Sequence, residues 1–220
     1  MLNQYMVGGI PPQSVPDLLA PVAALGGKAG EGIVAELHGK FYTQNYRGYM
    51  YDYGTPLAGV TLTTTGSTTQ TFGIFNPAGS NRLIIPTKCR VGLVGPTGTV
   101  TALAWCTKTG LGASVAGTSP FATATFVTAL NANTSGQFIG GVGVGKLFST
   151  CTLDAAPTIK RWFGASWGAP LSTTAAIFPM LVDEFDGDTI IGPGSALFLA
   201  GATSPGAATD VSLTWYEAPV

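Results

Sequence analysis

From residue 59 onward, apolar and polar residues alternate over short runs that are separated by turn signals. The clearest run covers residues 99–106. One set of alternate positions in it is small and apolar: Val100, Ala102, Ala104 and Cys106. The other set contains Leu103 and Trp105. A period of two predicts a strand. Because both sets contain apolar residues, either register could face a core, and a strand buried on both faces would satisfy both.

Similar runs predict the other strands, at residues 82–85, 89–94, 122–130, 137–144, 159–163, 176–181, 189–191, 196–200 and 211–217. Gly, Pro, Asn or Asp separates most of them, and no segment after residue 55 has a 3.6-residue apolar stripe. Many short strands joined by turns are typical of a sandwich or barrel, and the closing strands follow an order common in jelly rolls. We therefore predict an all-β protein, an antiparallel β-sandwich of jelly-roll type over residues 56–220, with an irregular N-terminal arm.

The predicted arm, residues 1–55, is punctuated by proline and glycine, and Ser14 could cap a helix of one or two turns at most. Its segment 32–54 holds five of the seven tyrosines: Tyr42, Tyr46, Tyr49, Tyr51 and Tyr53. Tyrosine buries a large ring and keeps a polar tip, which suits interfaces. We expect these five side chains to dock on a neighbouring subunit or shell protein. The alternative is that they pack on their own sandwich as an extra flap.

Charge is scarce in this chain. Only 10% of the residues are charged, against roughly a quarter in an ordinary domain, whereas 45% are hydrophobic. A surface with so few charges suggests that partners cover much of it. We expect self-association, as a homotrimer, and contacts with other proteins of an assembly. The net charge of −1 provides no strong field for nucleic acid or an acidic membrane, and neither is expected as a partner.

The three cysteines, Cys89, Cys106 and Cys151, are an odd number without metal-ligand spacing. They are typical of buried thiols in a protein made in a reducing compartment. The N-terminus lacks the pattern of a signal peptide, and no apolar run reaches the ~18 residues of a membrane helix.

Catalytic motifs are weak. His38 is the only histidine, which argues against histidine-clustered metal centres, and no histidine follows Ser166 in the G-x-S-x-G match at 164–168. Gly140 and Gly145-Lys146 have P-loop spacing, but Leu147 stands where Ser or Thr would hold magnesium. We expect no enzyme, no catalytic residues and no cofactor.

Acidic residues cluster at 183–188, where Asp183, Glu184, Asp186 and Asp188 follow one another closely. We interpret this cluster as a solvated acidic turn. A calcium loop formed by Asp183, Asp186 and Asp188 is the less favoured alternative, because the spacing does not match an EF-hand.

Two segments resemble a group of tailed-bacteriophage virion structural proteins that includes jelly-roll capsid decoration or cement proteins. The segments are ELHGKFYTQNYRG at 36–48 and FNPAGS at 75–80. The resemblance covers residues 33–95 and the closing strand, through short motifs, and Asn81 stands where the group has a further glycine. It implies a location in the virion, with assembly in the host cytoplasm, and no catalytic residues.

These observations predict a capsid decoration or cement protein that binds the major capsid protein or other virion proteins and stabilises the shell. The alternative is a tail- or fibre-associated module that binds host glycans through exposed aromatics such as Trp162 and Trp167. A hydrolase is the least favoured class.

Overall fold

The computed structural model describes residues 41, 44–45, 48–94, 101–111, 121–127, 130–132, 143–163, 180–206 and 208–220. For residues 121–127, 130, 131 and 163 it describes the backbone alone. The chain divides into two compact units, residues 1–43 and 44–220, and the strands described below belong to the second.

The described residues form antiparallel strands, whose bounds are β1 Met50–Gly54, β2 Thr69–Gln70, β3 Gly73–Asn76, β4 Arg82–Leu93, β5 Leu103–Lys108, β6 Phe121–Val127, β7 Leu130–Asn131, β8 Lys146–Leu153, β9 Thr158–Phe163, β10 Leu181–Glu184, β11 Ser195–Gly201 and β12 Thr209–Pro219. The first sheet has the order β10-β4-β12-β1-β7. The second has the order β2-β8-β3-β11-β5-β9, with β6 paired to β8. The predicted antiparallel β-sandwich is therefore confirmed, and the jelly-roll type stays a prediction.

The core lies between the two sheets. Its buried side chains come from both, including Trp215 and Leu213 of the first sheet and Trp105, Ile74 and Leu199 of the second. A second buried cluster lies on the other face of the second sheet and includes Ala104, Cys106, Phe75, Phe148 and Phe198. β5 is therefore buried on both faces, which explains why its two alternating sets are both apolar. Val100 lies outside the described residues.

β4 is one strand where two were predicted, at 82–85 and 89–94. Pro86 lies within it and has no N–H for the ladder. The chain accommodates this residue with a register shift between Thr214 and Trp215 of β12, next to the pairing of Trp215 with Pro86. The predicted strand at 189–191 is also corrected, because only an isolated bridge between Ile191 and Ile84 forms there.

The turn after β3 is held by one buried side chain. The Nδ2 atom of Asn76 donates to the carbonyl oxygens of Arg82 and Ile191, each at 2.8 Å, and its Oδ1 accepts from the Ser80 hydroxyl at 2.6 Å. Gly79 and Asn81 have positive φ angles of 77° and 52°. The FNPAGS motif is thus a hydrogen-bonded corner that connects three segments of the sandwich.

Candidate interaction site

One face of the first sheet is open to solvent near its centre. Its outward residues form cross-strand rows over β10, β4, β12 and β1. The first row is Val182, Arg90, Ser212 and Gly54; the second is Glu184, Lys88, Thr214 and Asp52; Gly92 and Asp210 are paired in the next. We call these residues the open face.

The alternation of the strands creates this face. On β4 and β12 the residues between the polar positions, Cys89, Val91, Val211 and Leu213, are buried in the core. The polar residues must therefore point the other way. The sequence signal was present in the alternation of 88–92 and 210–214, but it does not say which strands lie side by side.

Two adjoining hollows, of about 570 and 310 Å³, lie over the open face and share Gly54, Arg90 and Ser212. The floor is low because Gly54 and Gly92 have no side chain, and a Cβ atom at either would meet nothing within 4 Å. Leu57, which is 93% exposed, lines the larger hollow. The site is a shallow depression with both polar and apolar lining, and it suits another surface better than an enclosed small molecule.

Charges of both signs lie on the open face. Lys88 on β4 forms an ion pair with Glu184 on β10, with 2.9 Å between Nζ and Oε1. Within the part of the chain that the structure describes, Asp52, Arg90 and Asp210 have no ion pair. The signs alternate across the sheet, with acid on β10, base on β4 and acid on β1. A mixed pattern of this kind favours a partner that also carries both signs.

The predicted interface tyrosines divide into three groups. Tyr42 and Tyr46 lie outside the described residues. Tyr49 is partly buried, and the guanidinium of Arg82 lies 5.6 Å from its ring centre.

The structure places Tyr51 and Tyr53 against the core of their own sandwich, and not at the predicted interface with a neighbour. Both lie on β1, which pairs with β12, and they point into the core. Tyr51 is 3% exposed and stacks on Trp215 with 5.9 Å between the ring centres. Tyr53 stacks on Phe72 with 6.2 Å between the ring centres. Burial raises the pKa of both phenols. Residues 50–54 therefore belong to the sandwich, and the boundary predicted at residue 55 lies too late, because the alternation in MYDYG is that of a strand with one buried face.

The acidic cluster is not a solvated turn throughout. Asp183 lies on β10 and is buried, and its Oδ2 accepts from Trp105 Nε1 and from Arg161, both at 2.7 Å. Arg161 also pairs with Asp188 at 3.1 Å, and its guanidinium lies over the Phe185 ring. Burial raises the pKa of Asp183, and the bonds from Trp105 and Arg161 oppose that rise.

The guanidinium of Arg161 thus takes the place between Asp183 and Asp188 that a cation would need. Among the described residues no three His, Cys, Asp or Glu side chains converge as metal ligands. The ion pairs of Arg161 with Asp183 and Asp188 link edge strand β9 of one sheet to edge strand β10 of the other and to the turn that follows it.

The residues proposed for glycan binding and catalysis are only partly described. Trp162 lies on edge strand β9 and is 51% exposed, beside Ile159 at 41%. Trp167, Ser166, His38 and Gly140 lie outside the described residues. The amide of Gly145 donates to buried Glu217 at 2.8 Å, so this glycine anchors a loop to β12.

All three cysteines are free and buried. Burial raises the pKa of Cys106 to about 11 and that of Cys151 to about 12, and it raises the pKa of Cys89 as well. Thiols of this kind are inert side chains of the core.

Comparisons with known proteins leave the site to be interpreted from its own chemistry. No family model matches the chain, and no curated protein or solved structure is significantly similar to it. Among the described residues, no helix has the length and apolar character needed to cross a membrane.

Proposed function

We propose that this protein is a virion structural protein, a capsid decoration or cement protein that binds the shell and stabilises it by self-association. The observation that carries the proposal is the open face, a shallow, mixed-charge surface on a β-sandwich. It is suited to contact with another protein surface. The low charge of the whole chain and the short motifs shared with phage virion proteins support the same function.

The decisive experiment is quantitative mass spectrometry of purified particles. A decoration protein is present in hundreds of copies, whereas a tail protein is present in a dozen or fewer. Absence from the particles would refute the virion role. The homotrimer is tested separately, by the mass of the purified protein in solution.

The N-terminal unit provides a second test of shell binding. Deleting residues 1–32 leaves the whole of unit 44–220 in place. We expect weaker incorporation into particles and an almost unchanged thermal unfolding of the β-sandwich. If the truncated protein unfolds at a much lower temperature, lost incorporation follows from misfolding and the role of the arm in docking is wrong.

A glycan-binding tail module is the second candidate, because an exposed indole such as that of Trp162 can stack on a sugar ring. Titration of host surface glycans by calorimetry tests this function. Trp162→Ala should abolish binding, and Ile159→Ala is the matched control because it also removes an exposed apolar side chain from β9. Equal effects of the two variants would exclude stacking on Trp162.

A further inference from the structure

The open face is complementary to itself. Its second row contains Lys88 on β4, Thr214 on β12 and Asp52 on β1. The middle strand, β12, therefore has a base on one side and an acid on the other. A face with this order of charges can meet a copy of itself with opposite charges in contact.

The geometry of that contact follows from the strand order. A twofold axis that runs parallel to β12 and between two facing sheets places β4 of one copy over β1 of the other. Each row stays in line with its counterpart, since the rotation does not shift positions along the axis. Lys88 of each copy then lies over Asp52 of the other, and Thr214 meets Thr214.

The first row fits by shape. The same rotation places the long side chain of Arg90 over Gly54 of the second copy, where the hollow is open. No atom lies within 4 Å of the position that a Cβ of Gly54 would occupy. Asp210 of β12 faces its own counterpart across the axis, and Arg90 lies diagonally beside it to offset the two negative charges.

We infer that the open face binds the open face of a second copy, as a face-to-face pair about a twofold axis parallel to β12. The inference rests on the self-association in the proposed function and not on the virion location. An isologous pair joins two copies only, so this contact is separate from the proposed homotrimer. Only β4, β12 and β1 of the open face overlap their counterparts about this axis, because β10 lies beyond β4. Three strands about 4.8 Å apart and three rows about 6.8 Å apart cover roughly 300 Å² per copy. This is less than half of the ~800 Å² per partner in a standard interface, so the isolated pair is weak.

The test uses charge reversals in the full-length protein, followed by sedimentation equilibrium up to about 1 mM. Lys88→Glu and Asp52→Lys should each weaken the pair at least tenfold, because each places two like-charge contacts in the homodimer. An equimolar mixture of the two variants should associate again. In the mixed pair the carboxylate introduced in one variant meets the ammonium introduced in the other, and the second contact joins the unchanged Asp52 and Lys88. The double variant should associate with itself, since both of its contacts also join opposite charges.

Gly54→Gln is a steric counterpart that needs no charge change. The free chain has room for the side chain, so its unfolding temperature should match that of the wild type, but the pair should be lost because the glutamine occupies the place of Arg90. Equal thermal unfolding of all variants is checked first.

Several results would overturn the inference. They are a wild type that stays monomeric up to about 1 mM, association that none of the variants changes, and single variants that weaken association without rescue in the mixture. Reversals that spare association but abolish glycan binding would assign the open face to that ligand instead. A pair that behaves as expected in a protein absent from virions would refute the proposed function and leave the interface standing.

Discussion

Asn76 is the residue whose replacement should most clearly reveal how the sandwich is held at its corner. The side chain is fully buried and makes three hydrogen bonds, to the carbonyl oxygens of Arg82 and Ile191 and from the Ser80 hydroxyl. Asn76→Ala removes all three without adding strain.

The size of the expected destabilisation follows from the hydrogen bonds that the two carbonyl oxygens keep in the variant. The Ile191 oxygen still accepts from the Ile84 amide at 3.0 Å, and the Arg82 oxygen still accepts from Ser80 at 3.3 Å. Neither carbonyl is left without a bond, so each lost bond costs its net value of about 1 kcal/mol rather than the full desolvation penalty. We expect a loss of about 3 kcal/mol in the free energy of unfolding, or roughly 6–12 °C in Tm for a domain of this size.

Urea unfolding at fixed pH measures this change, with an unaltered m-value as the sign of a two-state comparison. Ser80→Ala is the matched control, because it removes the hydroxyl that bonds Asn76 Oδ1 and, at 3.3 Å, the carbonyl and amide of Arg82, but keeps both bonds from Asn76 Nδ2. It should cost about 1–2 kcal/mol, less than Asn76→Ala. Asn76→Asp keeps the acceptor for Ser80 but turns a carboxylate oxygen toward two carbonyls, so it should cost more than Asn76→Ala. The reasoning is refuted if Asn76→Ala costs no more than Ser80→Ala, or if Asn76→Asp is the milder of the two.

Further predictions concern the backbone and the thiols. Asn81→Gly should stabilise the protein by about 0.5 kcal/mol, because φ is 52° there, and Asn81→Val should destabilise it by about 1–2 kcal/mol. Gly73→Ala should cost about 1–3 kcal/mol, since the new methyl group would collide with the Phe148 ring and the Leu197 carbonyl, whereas Gly92→Ala should cost nothing. Equal losses in the free energy of unfolding for the two variants, measured in urea, would contradict this packing. The native thiols should resist Ellman's reagent at pH 8 and react fully in denaturant, and fast native labelling would contradict their burial. Burial raises the folded-state pKa of all three thiols, that of Cys106 from 9.0 to about 11. The stability that the protonated thiols contribute is complete below pH 9 and is lost as the pH rises, for Cys106 through pH 11, so unfolding curves between pH 8 and 11 measure a fall that the three thiols share.

The fold class and several strands could be read from local pattern. β9, β11 and β12 lie within two residues of their predicted bounds, and β5 overlaps its predicted run over residues 103–106, because period-two alternation reports the pleat of a strand directly. The FNPAGS corner was also identifiable as a turn, and Asn81, which follows it, has a positive φ of 52°.

The errors arose where distant segments decide the structure. In the sequence, Tyr51 belongs to a tyrosine-rich segment, but in the fold its ring stacks on Trp215. Asp183 belongs to an acidic run, but in the fold its carboxylate accepts hydrogen bonds from Trp105 and Arg161. Strand bounds such as that of β4 also depended on the partner strand, since Pro86 is tolerated only where β12 shifts register.

The sequence by itself determined an all-β chain with little charge, buried thiols and alternating polar positions on β4 and β12. Only the tertiary structure decided that β4, β12 and β1 lie side by side, because strand order depends on hydrogen bonds between segments more than a hundred residues apart. That order places Lys88, Thr214 and Asp52 in one row. The open face is therefore a property of the sheet, and no single strand carries it.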